Sequence, residues 1–214
     1  MKSIPLCLLL LLTACGSVGP IANIEDANVD DVARSAGMSS LAATPLPEGR
    51  REIRLWLSQG LLLPDQMVRL SYAHDRWLGE LWRYWPRNEA DHGIYGWSHE
   101  ALGEIMERCG CARTIRGPEY AVCRVIEERA LDWESVALRL KQLDIAGLSE
   151  APVPPGAATR GAADGDGLEV EVRAGAAYHR VRYDRFDDSE PARRAGQIMR
   201  MIKDLDPSVA CDRN

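Results

Sequence analysis

The stretch Glu52-Ile53-Arg54-Leu55-Trp56-Leu57-Ser58, together with Met67-Val68-Arg69-Leu70-Ser71-Tyr72, decides the fold class. Ile53, Leu55 and Leu57 alternate with Glu52, Arg54 and Ser58, while Val68, Leu70 and Tyr72 alternate with Met67, Arg69 and Ser71. A period of two sends successive side chains to opposite faces, so both segments read as half-buried strands. A turn near Ala73-His74-Asp75 leads into a third strand over Trp77 to Trp85. Connections this short cannot hold crossover helices, and the three strands form an antiparallel meander.

Working outward, Tyr120 to Ile126 reads as a further strand. Leu168, Val170 and Val172 alternate with Glu169, Glu171 and Arg173, and after Ala174-Gly175-Ala176 the stretch Tyr178 to Asp184 returns as a hairpin partner. Three segments carry helical spacing. Ser98 caps one with Leu102, Ile105, Met106 and Cys109 on a face, ended by Gly110. Asp132 caps another with the stripe Trp133, Val136, Ala137, Leu140 and Leu143. Ser189 and Glu190-Pro191 open the last, with Ala195, Ile198, Met199, Ile202 and Leu205 buried and Pro207 as a stop. The expectation is an α+β single domain over residues 50–214, an antiparallel sheet (meander plus C-terminal hairpin) packed with about three α-helices, two of them on one face. Residues 151–167 read as a low-complexity loop, and 15–49 as a flexible tether with one transient helical turn, because no amphipathic repeat spans it.

The 214 residues are 46% hydrophobic and 27% charged, enough for one core and unlike a collagenous, repetitive or disordered chain. A net charge of -6 argues against a nucleic-acid partner, which calls for a concentrated basic face. Six cysteines are the more informative count.

The chain starts Met1-Lys2-Ser3, continues through a leucine-rich run and reaches Leu12-Thr13-Ala14-Cys15-Gly16-Ser17. That run is too short for a bilayer-spanning helix, which takes about 20 residues. The segment resembles the bacterial lipoprotein signal, with Leu12, Thr13, Ala14 and Cys15 as its lipobox. The resemblance implies removal of residues 1–14 as a signal peptide and a diacylglycerol thioether on Cys15, usually with an acylated (palmitate-type) amine. Several acyl chains anchor stably where one is marginal. By the same resemblance, Gly16 rather than an aspartate after the modified cysteine implies the cell outer membrane, facing the periplasm. An acidic body is repelled by anionic headgroups, so the lipid on Cys15 supplies the membrane attachment.

With Cys7 in the signal and Cys15 lipidated, Cys109, Cys111, Cys123 and Cys211 remain as disulfide candidates in an oxidising compartment. A Cys109–Cys111 bridge would close a very small ring under unfavourable geometry. Either Cys109 joins Cys123 and Cys111 joins Cys211, or the partners are exchanged. The Cys-Gly-Cys spacing departs from the usual redox pair, and His92, His99, Cys109 and Cys111 lack the two close ligand pairs of a zinc site. No metal or cofactor is expected.

Trp77, Trp82, Tyr84 and Trp85, with Tyr95 and Trp97 just beyond, concentrate aromatics in and after the third strand. They read either as core and cross-strand packing or as a binding surface for glycan or protein. His92 and His99 with Asp91 and Glu100 form the one compact acid/base-like cluster, and a polar loop before a helix is the preferred reading of it. Asp164-Gly165-Asp166-Gly167 lacks the other oxygen ligands of a calcium loop. Arg180 and Arg182 share a strand face, suiting an acidic partner or a salt-bridged surface. Nucleophile-elbow, phosphate-loop and His-Glu-x-x-His patterns do not occur. The expectation is a lipid-anchored cell-envelope protein acting as a non-enzymatic binding or interaction module, with an inhibitor or immunity lipoprotein as a subtype, and an envelope protein or polymer as partner. A small envelope enzyme with its site near residues 91–100 and a structural envelope component are the alternatives.

Overall fold

Leu55 lies opposite Val68 on one neighbouring strand and Val170 on the other, so the segment that opened the sequence reading is an interior strand paired along both edges. A computed structural model describes residues 29–58, 65–86, 111, 114–116, 120–126, 131–149, 167–183 and 189–205. In order they form α1 (Val29–Ser35), β1 (Arg51–Ser58), β2 (Asp65–Ala73), β3 (Arg76–Pro86), β4 (Thr114–Arg116), β5 (Tyr120–Ile126), α2 (Trp133–Gln142), a turn of 3-10 helix (Ile145–Gly147), β6 (Gly167–Ala174), β7 (Ala177–Tyr183) and α3 (Glu190–Leu205). The strands make one antiparallel sheet in the order β4-β5-β3-β2-β1-β6-β7. This is the expected α+β arrangement.

One face of the sheet carries Ile53, Leu55, Leu57, Val68, Leu70, Leu81, Leu168, Val170 and Val181, all buried. Trp133, Val136 and Leu140 of α2 and Ala195, Ile198, Met201 and Ile202 of α3 cover it. Burying each such side chain contributes about 1.5–3 kcal/mol, which makes this layer the main source of stability. The stripe expected on α3 is shifted in detail, because Met201 is buried while Met199 and Leu205 are half-buried.

Local chemistry fixes where these elements start and turn. Asp132 accepts the Ser135 backbone N–H at 3.3 Å and the Ser135 hydroxyl at 2.6 Å, capping α2. Glu134 then accepts the backbone N–H of Trp77 at 2.6 Å, tying the start of α2 to β3. Between β2 and β3 the two turn residues His74 and Asp75 have φ of 53° and 59°, the doubly left-handed turn that matches strand twist. Gly175, at φ 58°, opens the two-residue turn between β6 and β7.

Two expectations change. The tether was expected to extend to residue 49, but Val29, Val32, Ala33 and Leu41 are buried, so the packed body begins by Val29. Its helix, α1, has only one apolar i, i+3, i+4 set and is held by tertiary contacts rather than by an extended amphipathic repeat. Secondly, β1 and β2 are not half-buried: Glu52, Arg54, Trp56 and Met67 on the second face are buried too. The signal segment, the helix expected after Ser98, the loop 151–166 and Pro207 lie outside the described residues.

Cys111 and Cys123 are disulfide-bonded and buried, linking the residue before the β4–β5 edge to β5 itself. This pairing belongs to the second of the two expected arrangements; Cys109 and Cys211 lie outside the described residues.

Gly79 on β3 sits beneath the indole of Trp133, where an added Cβ would lie 2.4 Å from ring atoms. A glycine inside a strand marks such a close approach. Gly79→Ala is expected to lower stability by about 1–3 kcal/mol through overpacking, seen as a lower urea midpoint with unchanged m-value.

Candidate functional site

The second face of the sheet is where charge is concentrated. Strand register places Arg180, Glu171, Arg54, Arg69 and Glu80 side by side across β7, β6, β1, β2 and β3. The next row runs Arg182, Glu169, Trp56, Met67, Trp82 and Arg124, ending on β5. On the other side of the first row lie Tyr178, Arg173, Glu52 and Ser71.

Glu52 is the hub of this lattice. It accepts Arg54 Nε at 2.8 Å and Arg69 Nε and Nη2, each at 3.1 Å. Arg69 reaches on to Glu80, which also accepts Arg124 Nη1 at 2.8 Å and the Trp82 indole at 3.3 Å. Toward the opposite edge, Glu171 accepts the Trp56 indole N–H at 2.8 Å and the Tyr178 hydroxyl at 2.7 Å. Arg180 Nε lies 2.7 Å from Glu169. The planar guanidinium groups of Arg124 and Arg173 also sit over the rings of Trp82 and Tyr178.

Burial gives these contacts their weight. Arg54 is only 2% exposed, and its Nη1 meets no hydrogen-bond acceptor among the described residues. The residues after α1 run close by: Arg173 donates to the Ala42 carbonyl at 3.2 Å, and the Leu46 N–H donates to the Gly175 carbonyl at 3.1 Å.

The carboxyl groups respond to this setting in opposite senses. Burial pushes Glu52 up, but hydrogen bonds and positive charge from Arg69 and Arg54 outweigh it and hold the group below the ordinary carboxylate range. Burial also pushes Glu169 up, and there Arg180 offsets it only partly while neighbouring Glu171 adds to the rise. Burial and the bond to Glu171 raise Tyr178. Glu52, Glu80 and Glu171 already accept from arginine, tryptophan or tyrosine, and Glu169 is ion-paired with Arg180, so the lattice neutralises charge within the sheet.

The expected aromatic binding surface divides. Trp82 at 7% exposure and Tyr84 at 3% are core residues, packed with Trp56, Met67 and Val122 beneath Val29, Val32 and Ala33 of α1. This corrects their reading as a recognition surface: an aromatic whose face is covered by a helix has no surface to offer. Trp77 is half-buried, packing on the helix-covered core and against the Tyr72 ring at 5.3 Å. Tyr95, Trp97, the side chain of Trp85, Cys15, and the His92–His99 cluster lie outside the described residues. His179 faces the helix side, its Nε2 2.8 Å from the Leu148 carbonyl oxygen.

Sequence reading missed the lattice, although its signal was present. The polar positions of β1, β2, β6 and β7 carry complementary charges that meet only once the strands are in register. A separate groove between α2 and α3 is floored by Leu143 and Met201 and rimmed by Arg139, Arg200 and Asp204, a rim of mixed sign. Among the described residues no group of three or more His, Cys, Asp or Glu side chains could hold a metal ion. No protein-family model, curated protein or solved structure matches the chain.

Removing the hub strands the buried Arg54 and leaves Arg69 with Glu80 alone. Glu52→Ala is expected to cost about 3–5 kcal/mol in chemical denaturation, the range for breaking a buried pair from one side. The pH dependence has two signs. Glu52's stabilisation is complete above the unfolded carboxyl range near 4.5 and is lost as pH falls through its lower folded value. Glu169 has a raised folded value, so the native state binds its proton more tightly and stability declines as pH rises from about 4.5 through that value. Glu169→Gln should flatten the stability profile in this mildly acidic window, whereas Glu52→Gln should flatten the more acidic limb.

Proposed function

We propose that the chain is a lipid-anchored cell-envelope protein whose folded body acts as a non-enzymatic binding module. The observation that carries the binding reading is the self-paired lattice, because a sheet whose charged side chains bond one another is a rigid scaffold for presenting edges and rims to a partner. The anchor rests on Leu12-Thr13-Ala14-Cys15. A buried Cys111–Cys123 disulfide is in keeping with an oxidising compartment.

Packing from Val29 onward also shortens the reach. Residues 16–28 separate Cys15 from α1, and at about 3.4 Å each they extend no more than about 45 Å. The partner therefore lies close to the membrane that holds the lipid. An inhibitor or immunity lipoprotein guarding against a cell-wall-degrading enzyme is the subtype this arrangement suits, since such a protein needs a complementary surface and no chemistry of its own.

Labelled palmitate should enter the wild-type chain and not Cys15→Ala; labelling of the variant would remove the anchor from the reading. Crosslinking in intact envelopes should capture a stable partner, and finding neither that nor binding to isolated cell-wall polymer would overturn the module. Reducing Cys111–Cys123 should lower the unfolding free energy by about 3 kcal/mol, the loop-entropy value for so short a closed loop. Protein isolated from envelopes with both thiols free would count against the compartment.

A further inference from the structure

The residues ahead of β1 form a unit of their own. Val29, Val32 and Ala33 of α1 are buried on Trp56, Met67, Trp82, Tyr84 and Val122, a cluster distinct from the helix-covered core, to which α1 contributes no residue. Both ladders of β1 begin at Arg51, so residues 29–44 supply no rung to the sheet. Seven residues are also too few for a helix to persist in water by itself, since isolated helices shorter than about 12–15 residues are marginal. For α1, leaving the sheet and melting are therefore one event.

Among the described residues, the segment after α1 bonds largely within itself. Ala36 and Met38 donate to the Val32 and Ala33 carbonyls at 3.0 and 2.8 Å, and Thr44 donates to the Ser40 carbonyl at 3.1 Å. Arg173 holds the segment to β6 through the Ala42 carbonyl at 3.2 Å, and Leu41 is buried. Pro45-Leu46-Pro47 then sets a stop. Two proline rings restrict the backbone there, and the Leu46 N–H is fastened to the Gly175 carbonyl at 3.1 Å. Tension arriving at Val29 loads α1 before Leu46, and Leu46 before β1.

We propose that residues 29–44 are a releasable strap, in which α1 lifts off Trp56, Trp82 and Tyr84 and melts while the sheet and its helix-covered core stay folded. A segment that packs into its own cluster and adds nothing to the ladders opens as a sub-global unit. The strap's role rests on the lipid-anchor reading. At about 3.4 Å per residue, the tether grows from residues 16–28, about 45 Å, to residues 16–44, about 100 Å. The body thereby has a close and a distant working range, and outward pull from an engaged partner favours the distant one.

The test uses the mature lipidated chain in detergent micelles. The amides of Ala36 and Met38 should exchange at least a hundredfold faster than those of β1, with a weaker urea dependence. Trypsin should cut after Arg34, whose side chain is 68% exposed, giving a fragment that begins at Ser35 while β1 and β6 keep their amide protection. Val32→Asp places a charge in the apolar bed and should raise that cutting at least tenfold with β1 and β6 still protected. Pulling one molecule between Cys15 and its C-terminus should give a first extension of up to about 50 Å ahead of the main unfolding, and Val32→Asp should lack that step. Exchange of Ala36 and Met38 at the β1 rate and urea dependence, a single unfolding step, or collapse of the whole body in Val32→Asp would overturn the strap. The two levels separate: a wild-type chain that takes up no palmitate refutes the longer reach together with the anchor, whereas an α1 that opens only with the sheet refutes the strap and leaves the anchor standing.

Discussion

Glu52 accepting hydrogen bonds from Arg54 on its own strand and Arg69 on the next is the contact on which the second layer of the molecule depends. A buried guanidinium without its carboxylate is far costlier than a missing apolar contact, so the strands carrying these groups have little freedom to slide. The same requirement recurs where Glu171 meets Trp56 and where Glu80 meets Arg124. A slip of one residue would turn this row toward the helices and the aliphatic row toward α1. Specification of register is thus shared between a face that rewards burial and a face that punishes mismatch.

Most of the fold was legible in residue periodicity. β5 was expected at Tyr120 to Ile126 and spans those residues, and α2 starts at the anticipated Asp132 cap. Period two alone cannot report what lies over the other face, so Arg54 and Glu171 looked solvated in sequence and are buried in space. α1 was read as no more than a transient turn for a different reason. Its seven residues make only about two helical turns, and the apolar bed that stabilises it comes from β1, β2, β3 and β5. Gly79 likewise looked unremarkable until Trp133 was placed on top of it.

For Trp82 and Tyr84 the structure selects core packing from the two roles that composition left open. Trp82 and Tyr84 do form a recognition surface, but the element they recognise is α1 of the same chain. The polar ends of Trp56 and Trp82 extend into the charged lattice, joining an apolar cluster to an ionic one without leaving either indole N–H unbonded. The two halves of the second face are therefore a single layer, closed by α1 at one end and by glutamate–arginine pairing at the other.

The sheet order also sets a sequence of events for a chain that emerges N-terminus first. β1, β2 and β3 are neighbours in sequence and can zip together locally, as can β6 and β7. The seam between β1 and β6 joins Arg51–Ser58 to Gly167–Ala174 and cannot close until more than 100 further residues have appeared. Until then β1 is an exposed strand edge lined by Glu52 and Arg54, already paired with each other and with Arg69 of β2, instead of bare hydrocarbon. Charge along that edge keeps the waiting half-sheet from sticking to its neighbours until Glu171 arrives to accept the Trp56 indole across the seam.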